Sequence, residues 1–154
     1  MDKKIVSTNR KAFHEYEILD RYDAGLVLDG YEVKSIRQGN VNLTDGFVSF
    51  KKDEAFLENI HIAPYAQQST HVQDYNSRRK RKLLMHKQEI VRLYHRVREK
   101  GLTLIPIELY FSEHGFAKIN LGLGKGKRTH DKRESIKRKE IDRELRQEHK
   151  ARNR

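Results

Sequence analysis

The chain has no cysteine, no tryptophan and only two prolines among its 154 residues. Without cysteine there is no disulfide framework, no thiolate metal ligand and no cysteine nucleophile. So little proline excludes a Pro-rich linker, and the lack of tryptophan argues against a lectin-like aromatic platform. No apolar run approaches the roughly 20 residues that a membrane helix needs. After Lys3 and Lys4 the apolar stretch is only Ile5 and Val6, so no signal peptide is expected. Hydrophobic residues make up 36% and charged residues another 36%, which predicts a modest core with part of the chain outside it. What the sequence has in excess is positive charge: 33 Lys and Arg against 22 Asp and Glu, a formal net of +11. The expectation is an intracellular, basic, soluble protein with no membrane partner.

The charge is unevenly placed. Residues 122–154 hold 13 Lys and Arg against 6 Asp and Glu, whereas residues 1–121 hold 20 against 16. Two regions are therefore expected, a body over 1–121 and a basic tail over 122–154. Beyond Leu123 the large apolar residues are Ile136, Ile141 and Leu145. Three such side chains do not offset the entropy of ordering some thirty residues, so the free tail is expected to be disordered. Such a segment suits an anionic polymer, through phosphate neutralisation and counterion release.

The body reads as mainly β with flanking helices. Residues 13–19 alternate through Tyr16 and Ile18 as a half-buried strand, and residues 24–28 form another. Val33 and Ile36 predict a short helix that stops at Gly39. Residues 46–50 and 55–57 flank Lys51 to Glu54 as a hairpin whose second strand continues through Ile62. Residues 66–77 read as an exposed loop. Arg78 to Lys82 then lead into a helix whose apolar stripe is Leu83, Ile90, Leu93, Tyr94 and Val97, ended by Gly101. Two dense strands over 104–111 and 116–121 follow, joined by a turn at 112–115. Short strands at this spacing predict a small closed barrel, with the oligonucleotide-binding (OB) type the obvious candidate for a basic protein.

Gly122, Gly124 and Gly126 before Lys127 lack the spacing of a phosphate loop and read as a flexible hinge. No two of the eight histidines have helical metal-ligand spacing, so no metal or other cofactor is expected. Five cations at a helix start oppose the helix dipole, so Arg78 to Lys82 point to phosphate binding. From the residues alone, selective RNA binding, unselective nucleic-acid binding and a ribonuclease using His14 or His61 stay open.

Several motifs resemble the SsrA-binding protein family, SmpB. They are residues 9–16 (NRKAFHEY), 24–37 (AGLVLDGYEVKSIR), 81–87 (RKLLMHK), 109–111 (LYF) and 122–128 (GLGKGKR) followed by 130–133 (HDKR). Their order and spacing extend the resemblance from about Asn9 into the tail. It implies a non-enzymatic, cytoplasmic factor of trans-translation with an OB-type β-barrel. Such a factor binds the tRNA-like domain of transfer-messenger RNA (tmRNA) and delivers it to the A site of stalled 70S ribosomes. It also implies contacts with small-subunit ribosomal RNA, and through tmRNA with elongation factor Tu and alanyl-tRNA synthetase.

By the same resemblance, Asn9, Asp23, Leu84 and Lys118 occupy positions implicated in tmRNA binding. The family usually has Glu where this chain has Asp23, and often Asp-Pro where it has Asp74 and Tyr75. Asp131, Lys132 and Arg133 match a triad needed for peptide tagging, and His130 a position that stacks on a decoding-centre base. The tail is implied to lie in the empty mRNA path as a helix. Glu134 and Arg138, four apart, support that helix, while Glu140 and Glu144 oppose it.

Overall fold

The computed structural model describes residues 3–65 and 75–126. The elements run β1 (Lys4–Thr8), α1 (Arg10–Glu15), β2 (Tyr16–Leu26), α2 (Gly30–Arg37), β3 (Val41–Asn42), β4 (Phe47–Lys51), β5 (Glu54–Glu58), β6 (His61–Ile62), β7 (Arg81–Leu84), α3 (Lys87–Lys100), β8 (Thr103–Phe111) and β9 (Ala117–Gly126). Seven strands form one sheet in the order β1-β8-β9-β2-β7-β5-β4, and β3 pairs with β6 in a separate two-stranded ladder. Both are antiparallel throughout.

The main sheet curls so that β4 packs against β8. Ile36, Leu57, Leu83, Leu104, Leu109 and Ile119 are among the residues buried in its core. Full burial of each such side chain stabilises the fold by about 1.5–3 kcal/mol.

The expected OB-type closed barrel does not form. A closed barrel gives every strand two hydrogen-bonded neighbours, but among the described residues β1 and β4 have one each. The hairpin strand also stops short of its expected end: Asn59, with a φ of 62°, follows the last residue of β5, and residues 61 and 62 pair with β3 instead of prolonging it.

Three other expectations change for local reasons. Residues 13–15, expected as the start of a strand, belong to helix α1, because the Asn9 side-chain oxygen accepts from the Ala12 N–H and starts a helix. Residues 81–84 are a strand, with Arg81 and Leu83 buried and Lys82 and Leu84 exposed; α3 begins only at Lys87. The apolar stripe over 83–97 therefore spans two elements.

The glycines at 122, 124 and 126 lie within β9 and not in a hinge. A Cβ on Gly122 would stand 2.9 Å from Ile107, and one on Gly124 3.0 Å from Tyr16. Their lack of side chains lets a second small core of Ala12, Ile105 and Ile107 close under α1. The hairpin over 47–58, the helix before Gly39 and the turn before Phe116 form where expected. The loop expected over 66–77 falls for residues 66–74 outside the described residues, as does the tail from residue 127.

Candidate RNA interface

Strand register sets the geometry. Gly25 in β2 pairs with Leu84 of β7 on one side and Lys118 of β9 on the other. Directly paired residues of antiparallel strands share a face. Leu84, Gly25 and Lys118 thus form one row across three strands, with a glycine at its centre. Asp23 lies two residues before Gly25 and so on the same face. A depression of about 390 Å³ opens there, with Asp23, Gly25, Leu84, His86, Glu89 and Lys118 among its lining residues.

Each member has a distinct role. Leu84 is 57% exposed, an apolar surface beside a cation. Gly25 leaves the backbone open, and a Cβ there would sit 3.2 Å from that of Leu84. Asp23 is held from within the sheet: its Oδ1 accepts from the Tyr110 hydroxyl at 3.0 Å and from Asn120 Nδ2 at 3.1 Å. Burial pushes the Tyr110 hydroxyl up to about 12, helped by its hydrogen bond to Asp23, so it stays a donor at neutral pH. Among the described residues nothing holds Asp23 Oδ2, which is left to accept from a ligand. A fixed acceptor, a cation and an apolar face within one shallow hollow can bind a base or sugar edge and its phosphate together.

Residues 6–151 match the family model described as SmpB protein. The chain belongs to the SmpB family. It is 52% identical over 143 residues to the SsrA-binding protein of a Nitratiruptor species, covering 93% of this chain and 95% of that one. It is 51% identical over 143 residues to the SsrA-binding protein of Carboxydothermus hydrogenoformans, covering 93% and 94%. Among solved structures, it resembles a chain of "tmRNA-SmpB: a journey to the center of the bacterial ribosome". There the TM-score is 0.67 and the identity 50%, over 80% of this chain and 84% of that one.

Of the residues singled out by the SmpB resemblance, Asp23, Leu84 and Lys118 come together. Asn9 does not join them. It is 4% exposed and caps α1, while Nδ2 donates to the carbonyls of Pro106 at 2.9 Å and Leu43 at 3.3 Å. Its polar atoms are engaged in holding α1 to β8 and to the loop at Leu43. His14 is exposed on α1 and His61 lies on the β3–β6 ladder, so neither lines the depression. His130, Asp131, Lys132 and Arg133 lie outside the described residues.

The basic run before Leu83 does not start a helix, and two of its five cations, Arg79 and Arg81, are answered inside the protein by Glu32. Arg81 and Glu32 are both fully buried, with Arg81 Nη2 2.6 Å and Nε 3.0 Å from Glu32 Oε2. Arg79 also donates to Glu32. Tyr75 completes the cluster, donating to the Ile62 carbonyl at 2.8 Å and accepting from Arg81 Nη2 at 3.0 Å. Burial alone would raise the Glu32 carboxyl. Hydrogen bonds from Arg79, the Asp29 backbone and Arg81, with the Arg81 charge, hold it below its ordinary range. Of the run, Arg78, Lys80 and Lys82 face outward, Arg78 donating to the Asn59 carbonyl at 3.1 Å, Lys80 over the Phe56 ring and Lys82 3.4 Å from Glu54.

Sequence reasoning missed Gly25, Tyr110 and Asn120. Gly25 stood within a quoted motif, but only the pairing of β2 with β7 and β9 gives it a place. Tyr110 and Asn120 reach Asp23 from positions about a hundred residues away in the chain, a proximity that no local pattern encodes.

Proposed function

We propose that this SmpB-family chain is a non-enzymatic RNA-binding factor of trans-translation. It binds the tRNA-like domain of tmRNA through Asp23, Leu84 and Lys118 and brings it to the A site of stalled ribosomes. The observation that carries this reading is the convergence of those three residues on one hollow. The relatives named SsrA-binding protein and the solved tmRNA-SmpB structure support the choice of RNA. Lys118 neutralises a phosphate, Leu84 packs on a sugar or base face, and Asp23 accepts a hydrogen bond. Asp in place of the family's usual Glu is shorter, and the donors Tyr110 and Asn120 fix where its free oxygen points. Elongation factor Tu and alanyl-tRNA synthetase enter this reading only through the bound RNA.

In this proposal the body ends at Gly126, where β9 ends, and the tail begins at Lys127. The tail enters the decoding centre and the empty mRNA path as a helix, with His130 stacking on a ribosomal base and Asp131, Lys132 and Arg133 enabling tagging. A chain ending at Gly126 therefore keeps tmRNA affinity but fails to tag peptides on stalled ribosomes. Normal tagging by that chain contradicts the tail mechanism. The RNA assignment is tested by binding to the tRNA-like domain in competition with ordinary tRNA across a salt series. Binding that resists the competitor near physiological salt supports it, and equal loss to both RNAs refutes it.

A further inference from the structure

A second cleft lies between the tip of the β4–β5 hairpin and the exposed side of α3. It measures about 320 Å³, and Phe50, Lys51, Lys52, Asp53, Tyr94 and His95 are among its lining residues. That volume is at the lower end of those that hold small aromatic ligands, about 300–1,000 Å³. The Phe50 and Tyr94 rings meet edge to face with centroids 5.7 Å apart, and the His95 ring stands 5.6 Å from that of Tyr94. Arg98 Nη1 donates to the Tyr94 hydroxyl at 2.6 Å, fixing the ring and placing a guanidinium on the same side.

The hairpin tip presents its cations in a tight turn, with φ of 49° at Lys52 and 63° at Asp53. Asp53 is paired with Lys87 at 3.6 Å, whereas among the described residues no carboxylate pairs with Lys51 or Lys52. Aromatic faces beside unpaired cations suit an unstacked base with its phosphate, since every base offers a π-face.

The cleft is continuous with the candidate interface. A hollow of about 360 Å³ between them shares Leu84 and Met85 with the first site and Lys52 and Ile90 with the cleft. The three depressions make one path around the start of α3. We propose that the Phe50–Tyr94–His95 cleft is a second contact for the RNA bound at Asp23, Leu84 and Lys118, receiving one unstacked nucleotide of the same tmRNA. The proposal rests on the function stated above, and continuity of the path is what selects tmRNA as its occupant.

The test is amide NMR of the full chain titrated with the tRNA-like domain. The expected result is that Lys52, Tyr94 and His95 shift together with Gly25 and Lys118, saturating at the same RNA concentration. Shifts at Gly25 and Lys118 with a silent cleft overturn the second contact and leave the proposed function standing. Silence at both places overturns the proposed function and the second contact with it. A Lys52→Gln, His95→Ala double variant changes only exposed side chains and should bind about fivefold more weakly or worse. Unchanged affinity in that folded variant also overturns the second contact.

Discussion

Glu32 and Asp23 are carboxylates held by donors from distant parts of the chain, yet their surroundings give them opposite uses. Glu32 is fully buried, and both its oxygens are taken by Arg79, Arg81 and the Asp29 N–H. Nothing of it is left for a ligand, and its work is to tie α2 to the segment entering β7. Asp23 is exposed and held by one oxygen only, which orients the other outward. Satisfied polar clusters build the fold, and half-satisfied ones at an open hollow are where binding is to be sought. Asn9 falls with Glu32 on this measure, because its amide is occupied on both sides.

The largest effect that could break the comparison is at Glu32. Glu32→Gln leaves Arg81 buried without a countercharge, and breaking a buried pair this way costs about 3–5 kcal/mol. Denaturant unfolding should show a loss of that size; a loss below about 1 kcal/mol would mean the cluster is not structural. Asn9→Ala removes a helix cap and two buried hydrogen bonds, for an expected loss of about 2 kcal/mol. Where it remains folded it should bind tmRNA as the parent does, and a selective fall in affinity would return Asn9 to the interface.

Tyr110→Phe sharpens the other half of the comparison. It deletes one donor to Asp23, at a stability cost of about 1 kcal/mol. A fall in RNA affinity beyond what Asn9→Ala produces is the expected outcome, checked by titration with the tRNA-like domain. Smallest is the acid response. The Glu32 carboxyl lies lower in the folded than in the unfolded state, so its stabilisation is complete above the unfolded value of about 4.3. That contribution is lost as the pH falls through the lower folded value. Unfolding curves of the parent and Glu32→Gln should converge as the pH drops below about 4, and a constant gap between them would exclude this linkage.

Much of the chain could be read from local pattern. The hairpin over 47–58 follows from two apolar runs around a charged turn, and the helix before Gly39 from Val33 and Ile36 with a glycine stop. Pattern failed where two periods overlapped or where a distant partner decided. Leu83 fits the spacing of α3, yet it belongs to a strand whose period of two puts Arg81 inside. Residues 78–82 read as charge awaiting an anion, because Glu32, nearly fifty residues earlier, is invisible to local reasoning. Gly122 and Gly124 read as a hinge because the side chains that fill their space, Ile107 and Tyr16, come from other strands. The residues proposed to bind RNA were reached by likeness to a family; why three of them stand together follows from strand register.

The most direct measurement is tmRNA affinity of a Leu84→Ala, Lys118→Ala double variant beside its unfolding curve. Both side chains stand at the open face, so stability should stay within about 1 kcal/mol of the parent. The affinity should fall about tenfold or more, and the salt dependence should lose about one unit of slope through Lys118. Parent-like affinity and salt dependence in the folded double variant would contradict the assignment of this hollow to RNA.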